Sequence, residues 1–372
     1  MSLRRVLALA LRIVRQFGRD RRSLALLFVA PLLVMTLLNF LLGSGGSGVT
    51  LGIVPPSGPV GAAILTQISD RLGSQLGVTI QPVARDGVDT ALKNGDADGV
   101  LIFPASYSPG QSSAPVTLRL DGSNPGAARQ IRALVAQLLA SLPGNATLAP
   151  AASTDGVGSG AIAVSYLYGG PQYTETDALA PLFVAVFAFF FVFLLTSVSF
   201  LRERSQGTIE RLMVSPLSKA ELVLGYVLGF TLFALLQSLV ILLFVVYVLR
   251  VHYAGNLGLI FLVTLALTIG AVNMGIFASA FARNELQVIQ LIPLLLVPQV
   301  LLGGLFFPVR TLPIVLKQLA YVFPLTYANS ALQGVMLKNF GLGDIWPDLV
   351  FVAGFAAVMV LAAALSLRQE RV

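Results

Sequence analysis

The residues of this chain whose types could do chemistry are few, and they gather in one polar stretch between apolar runs. It reads Arg202-Glu203-Arg204-Ser-Gln-Gly207-Thr208-Ile-Glu210-Arg211-Leu212-Met-Val-Ser-Pro216-Leu-Ser218-Lys-Ala-Glu221. Thr208 can cap the start of a short helix, and Glu210 then sits in its first turn, favourably placed toward the positive helix end. Pro216 ends that helix. Ser218 and Glu221 form a capping box for the next one, with Leu217 and Leu222 as its hydrophobic staple. This predicts a short amphipathic helix bracketed rigidly between two apolar helices, a device for contact rather than for catalysis. The same residues fit a solvated connector with a charged face equally well.

Catalytic chemistry has little to work with. There is no cysteine, which removes disulfides, Cys-ligated zinc, iron–sulfur clusters and thiol nucleophiles. His252 is the single histidine, so neither a histidine metal site nor a Ser/His triad is expected. No G-x-x-x-x-G-K-[ST] loop is present to cradle phosphates. Gly43-Ser-Gly45-Gly46-Ser-Gly48 has the spacing of a dinucleotide loop, but it follows an apolar helix and precedes a strand, the reverse of the order that motif needs. A hinge is the better reading. Asn145-Ala-Thr147 is a glycosylation sequon by pattern, relevant only on a eukaryotic secretory route.

The elements that must position the polar stretch are set by composition. Of 372 residues, 56% are hydrophobic and 11% charged, and the mean hydropathy is +0.84. Soluble domains carry roughly 25% charged residues, so this chain cannot cover itself with a water-facing surface. Crossing a bilayer takes about 20 mostly apolar residues. Six runs qualify: Ser23–Leu42, Ala178–Phe200, Leu222–Leu249, Leu257–Ala282, Leu286–Phe307 and Trp346–Leu367. The fold class expected is an α-helical polytopic membrane protein with six transmembrane helices. Residues 1–22 precede the first span (23–43), residues 44–176 form an extracytoplasmic domain, and residues 177–372 hold the remaining five spans. Phe187 and Phe191 in the second span, Asn273 in the fourth, and Gln287, Gln290 and Gln299 in the fifth could line a pathway for a greasy or amphipathic compound. Against that, such amides commonly bond between helices, and phenylalanines pack or face lipid.

Basic residues orient the chain. They cluster before the first span, at Arg4, Arg5, Arg12, Arg15, Arg19, Arg21 and Arg22. They recur between spans two and three, at Arg202, Arg204, Arg211 and Lys219, and in smaller number at Arg283, Arg368 and Arg371. The short segments on the other side hold only Arg250, Arg310, Lys317 and Lys338. Both termini are therefore expected in the cytoplasm, and the net charge of +7 is explained by topology with no need for nucleic acid. The basic start and first apolar run are too long for a cleaved signal peptide. Residues 3–20 instead read as an amphipathic helix on the membrane surface, with Leu3, Val6, Leu7, Ala10, Val14 and Phe17 on one face. Arg5, Arg12 and Arg19 lie on another face, toward anionic lipid.

Residues 44–176 read as a small α/β domain, with strands at Val49–Val54, Val78–Val83, Gly99–Phe103 and Val116–Asp121. Helices are expected at Gly61–Leu72, Gly87–Asn94 and Pro125–Ser141. Pro143–Gly160 reads as a flexible connector, and Ala161–Tyr168 as a strand leading back to the membrane.

On these residues the chain resembles the ABC-2 type transporter permeases, whose first intracellular loop reads approximately E-R-x-x-G-T-x-E-x-L followed by Pro. Glu203, Arg204, Gly207, Thr208, Glu210, Leu212 and Pro216 match that pattern. The large outer domain resembles the bacterial drug-export branch, the type V exporter fold. The resemblance implies a connecting helix at residues 3–20, a coupling helix at 208–216 within the loop 202–217, and re-entrant helices within 308–340, opened by Thr311-Leu-Pro313 and Pro324-Leu-Thr-Tyr327. It implies that Glu203, Arg204, Gly207, Thr208, Glu210, Arg211, Leu212 and Pro216 couple the permease to a separate ATPase subunit, which binds ATP and Mg. No cofactor belongs to this chain. A second permease subunit, identical or not, completes the pathway in the bacterial plasma membrane, and a hydrophobic or amphipathic compound is exported. Two other functions bear weighing: a membrane-embedded enzyme, which would need a charged pair within the spans, and a receptor or surface protein acting through its outer domain.

Overall fold

The computed structural model describes residues 2–42, 49–58, 61–62, 64–66, 68, 78–105, 107, 115–140, 162–170, 172–208, 212, 218–282, 284–304, 309 and 312–369. The chain divides into two compact units, one of residues Leu42–Ala178 and one of Met1–Leu41 with Leu179–Val372.

In the first unit, five strands form one mixed sheet: β1 (Val49–Val54), β2 (Val78–Pro82), β3 (Gly99–Ile102), β4 (Val116–Gly122) and β5 (Ile162–Gly169), in the order β2-β1-β3-β4-β5. β1 runs parallel to β2 and β3, and β4 parallel to β5, while β3 and β4 are antiparallel. Side chains alternate across a strand, and the sheet has a core on each face. Val49, Leu51, Ile53, Leu101, Leu118 and Leu120 meet Ile131, Val135 and Leu138 of α4 (Pro125–Ala140). Val100 and Val54 meet Val88 and Leu92 of α3 (Val88–Asn94). The helix expected at Gly61–Leu72 lies partly outside the described residues, and the connector Pro143–Gly160 wholly so.

Asp98 ties β3 to its neighbours. Its carboxylate accepts from the Thr50 N–H at 2.8 Å, its N–H donates to the Thr50 carbonyl, and its carbonyl accepts from the Asp121 N–H. Burial raises the Asp98 carboxyl above the usual range; the Thr50 bond opposes this and the Asp121 charge adds to it. A carboxyl raised on folding favours the native state below its unfolded value, about 3.9, and that contribution is lost as pH rises through the folded value. Asp98→Asn keeps an oxygen for the Thr50 N–H. It is expected to raise the unfolding temperature of this unit at neutral pH and to flatten its decline as pH rises from about 4, as read by thermal melts from acid to neutral pH.

The second unit is helical. Among the described residues, five helices are long and apolar enough to cross a membrane. They are α5 (Glu175–Ser205), α6 (Lys219–Leu243, continued by a π turn over Phe244–Val248), α7 (Leu257–Ser279), α8 (Glu285–Leu302) and α11 (Leu342–Gln369). The first run, expected to cross as well, forms α2 (Arg21–Leu42), but its apolar described stretch, Ser23–Leu37, is shorter than a crossing. Between α8 and α11 lie α9 (Ile314–Ala320) and α10 (Pro324–Lys338), of 7 and 15 residues, both too short to span. Pro313 caps α9 and Pro324 opens α10, where a missing N–H costs nothing. α11 carries two carboxylates in its first two turns, Asp344 and Asp348.

The N-terminal helix α1 (Leu3–Arg19) differs from expectation. Its face of Val6, Leu9, Ala10, Ile13 and Phe17 is buried against protein rather than lipid. Leu3 and Leu7, expected on the same face, are exposed along with Leu11. The surface it seats on is α6, because Gly225 and Gly229 leave room there. A Cβ on Gly225 would lie 2.6–2.9 Å from Leu9 side-chain atoms, and one on Gly229 would lie 2.9 Å from Ile13. Phe17 completes the seat edge-on to Phe230 and Phe233, at centroid distances of 5.3 and 5.9 Å.

Candidate functional site

Successive helical residues point about 100° apart, so three consecutive charges in the last turn of α5 reach three different neighbours. Arg202 makes a bidentate pair with Glu285 at the start of α8, at 2.7 and 3.2 Å. Arg204 donates to the carbonyls of Ser279 and Ala280, at 3.4 and 3.3 Å. These lie at the end of α7, where helix carbonyls lack intrahelical donors. Glu203, between them, turns inward and is only 4% exposed. It accepts from the Tyr226 hydroxyl of α6 at 3.0 Å and from Gln16 Nε2 of α1 at 2.5 Å, with the Arg12 guanidinium 3.6 Å away. A buried carboxylate is tolerable when its lone pairs and charge are met in this way.

A second carboxylate grips the other end of α1. Glu221 makes the expected capping box with Ser218. In addition it accepts from the Ser2 N–H at 2.5 Å and lies 3.9 Å from Arg5. Arg5 and Arg12, which the heptad spacing aimed at lipid, therefore face Glu221 and Glu203. Beside this cluster Gln16, Phe17, Asp20, Ser199, Arg202, Glu203 and Gln206 line a polar cavity of about 190 Å³.

Gly207 adopts φ +66 and its N–H donates to the Arg204 carbonyl. It stops α5 in the left-handed conformation that favours glycine. Thr208 and Leu212 are helical and half-buried. Glu210, Arg211 and Pro216 lie outside the described residues, so Glu203, Arg204 and Gly207 are the loop residues brought into one cluster here.

The pathway candidates separate into two groups. Phe187 and Phe191 are buried in a ladder along α5 with Phe183, centroids 6.0 and 6.1 Å apart. Gln237 of α6 donates to the Phe187 carbonyl at 3.2 Å. Asn273 and Gln299 are buried, and each donates to a carbonyl of its own helix, Ile269 and Leu295. Gln287 and Gln290 stand on an exposed face of α8 with Leu286, Ile289 and Leu294.

Sequence reasoning missed the partners of Glu203 and the second grip of Glu221. One signal was available: Gly225-x-x-x-Gly229 is the small-residue spacing that lets helices approach closely.

Long apolar helices joined at one end by charged contacts are the framework of a polytopic membrane protein. The family described as ABC-2 family transporter protein matches residues 21–365, and the chain belongs to that family. It is an ABC transporter permease, the membrane subunit rather than the ATPase. The probable multidrug ABC transporter permease YbhS of Escherichia coli (strain K12) is 24% identical over 351 residues, covering 91% of this chain and 90% of that one. The probable permease YbhR of the same organism is 25% identical over 258 residues, 68% and 69% of the two chains. ABC transporter G family member 20 of Dictyostelium discoideum is 31% identical over 206 residues, covering 55% of this chain. The chain spans 28% of that longer relative.

Proposed function

We propose that the chain is the membrane half of an ATP-driven exporter, carrying a hydrophobic or amphipathic compound out of the cytoplasm or inner leaflet of a bacterial plasma membrane. The observation that carries this reading is the clamp at Glu203. Glu203 and Arg204 of the family pattern are tied to α1, α6 and α7, and Arg202 beside them to α8, so a push on the loop after Gly207 would reach those helix ends together. A separate subunit that binds ATP and Mg docks on residues 208–216. A second permease, identical or not, covers the exposed face of α8, which otherwise presents Gln287 and Gln290 beside leucines. α2 supplies the sixth crossing, and both termini are cytoplasmic. The multidrug names of the Escherichia coli relatives support a broad apolar cargo. Co-reconstitution with a partner ATPase, scored for ATP-dependent efflux across a compound panel, tests this. Absence of efflux with every compound, or ATP hydrolysis by the permease free of other proteins, would contradict it.

Two further outcomes are expected. Single cysteines at Ser112 and Ser205, in a chain with no native cysteine, should be labelled by an impermeant thiol reagent from opposite sides of the membrane. Labelling of both from outside intact cells would overturn the orientation. On this reading Glu210 meets the ATPase rather than the permease core, so Glu210→Ala should change stability by less than about 1 kcal/mol. It should nonetheless abolish efflux and substrate-stimulated hydrolysis while insertion and assembly persist. Wild-type efflux would leave Glu210 a solvated charge.

A further inference from the structure

The polar cavity between α1 and α5 lies where both helices pass from polar to apolar sequence. Asp20 follows the last turn of α1, and Gln206 follows the last turn of α5. The apolar stretch of α2 begins at Ser23, and that of α5 ends at Ser205. Hydrocarbon gives way to headgroups at such points, and both helix ends line the cavity. Its volume, about 190 Å³, exceeds the roughly 150 Å³ that holds a benzene ring in a protein interior. A small phospholipid headgroup fits that space while its acyl chains stay in the bilayer.

The lining selects the chemistry. Ser199 is only 6% exposed and lines the cavity, and among the described residues its hydroxyl has no hydrogen-bond partner. Buried hydroxyls are normally paired, so this one is left for a partner from outside the chain. Asp20 and Glu203 add two carboxylates. Arg202, the one basic side chain of the lining, gives Nε and Nη2 to Glu285. Gln16 gives Nε2 to Glu203 and keeps its carbonyl oxygen. The cavity is therefore rich in acceptors and negative, which suits a cation carrying several N–H donors. A quaternary ammonium has no N–H and depends on ring faces, whereas Phe17, the single ring of the lining, packs edge-on against Phe230 and Phe233. A metal ion is not supported either: among the described residues no group of three or more His, Asp or Glu could hold one. Arg202 Nη1 makes no hydrogen bond to the described residues and is free to meet a phosphate.

We propose that this cavity binds the headgroup of an aminophospholipid, its primary ammonium against Ser199, Glu203 and Asp20 and its phosphate toward Arg202. The occupant is a membrane lipid rather than a free amine for two reasons. The cavity lies at the level where such headgroups are concentrated, and a phosphate on the same molecule makes use of Arg202. Bound there, the lipid joins α1 to α5 beside the clamp at Glu203. The site stands independently of the transport reading, because binding is measured on the permease alone and in either orientation of the chain.

The chain has no native cysteine, so one reporter can be placed beside the cavity. Gly18 is exposed and a Cβ added there meets nothing within 4 Å. The full chain carrying Gly18→Cys is labelled with bimane and placed in phosphatidylglycerol nanodiscs. Phosphatidylethanolamine then replaces phosphatidylglycerol in graded fractions, with phosphatidylcholine in a matched series. Both zwitterionic lipids dilute the surface charge equally, so a difference between them reports the N–H donors. A saturable emission shift with phosphatidylethanolamine and none with phosphatidylcholine is expected. Ser199→Ala should raise the half-saturating fraction about fivefold or more, and Ser199→Leu, which fills the space, should abolish the shift. No shift with phosphatidylethanolamine, an equal shift with phosphatidylcholine, or wild-type half-saturation in Ser199→Ala would each overturn the proposal. Ethanolamine added to discs of phosphatidylglycerol alone separates the sources: a saturated shift that leaves none for phosphatidylethanolamine would assign the cavity to a free amine and overturn the lipid. Should Ser199→Leu not fold, Ser199→Ala decides, since it only removes the unpartnered hydroxyl.

Discussion

Glu203→Ala should unfold the helical unit at markedly lower temperature, with a loss of about 2–4 kcal/mol. The substitution removes the acceptor of the hydroxyl of Tyr226, a residue 1% exposed, and of Gln16, and takes from Arg12 its carboxylate partner. Leaving the buried Tyr226 hydroxyl unmet costs more than its bond contributed, because water no longer reaches it; Gln16 is exposed and can turn to solvent. Glu203→Gln retains shape and one acceptor, so it should lose less. The exposed Arg202–Glu285 pair provides the contrast. Both side chains are about half exposed, at 48% and 49%, and Arg202→Gln should cost less than about 1 kcal/mol. Thermal melts of the three variants in identical nanodiscs rank them. If Arg202→Gln proves as damaging as Glu203→Ala, burial is not what makes Glu203 matter. In the reconstituted complex, Glu203→Gln is expected to assemble with its ATPase but to show weakened substrate stimulation.

The second large effect concerns the seat of α1. Gly229→Leu places four carbons where Ile13 now lies, with the Ala10 carbonyl only 3.3 Å from the new Cβ. The clash is against a helix backbone, so rotamer changes cannot relieve it and α1 must move off α6. Overpacking of this kind costs about 1–3 kcal/mol. Displacement also breaks the contacts to Glu203 and Glu221, which depend on the same alignment. Limited proteolysis should then cut at Arg12 and Arg15, sites expected to resist in the wild type. Gly343→Ala is the control, since nothing lies within 4 Å of its added carbon. Protection of α1 in Gly229→Leu equal to that of the control would mean the glycine seat does not hold the helix.

Much of this molecule was readable from local pattern. Strand alternation placed β1 through β5 to within about a residue or two at their ends, and the Ser218–Glu221 box was found where spacing put it. Gly207 ends α5 as a glycine after a helix should. Each of these depends on residues within a few positions of one another, whose interactions are set by backbone geometry alone. The antiparallel joining of β3 to β4 within an otherwise parallel sheet was not visible, nor was the packing of α1 on α6. The charged residues show the divide most clearly. Arg202, Glu203 and Arg204 look alike in sequence, as polar residues at the end of an apolar helix. Glu203 became the buried one because the rotation of α5 aims it at Tyr226 and Gln16, and Gln16 is 187 positions away. Phe187 and Asn273 suited packing better than a pathway by residue type, and their helix neighbours bury them. Periodicity says that a helix has a polar and an apolar side, but which neighbour each side meets follows only when distant segments compete for the same surface and the best-fitting shapes exclude water.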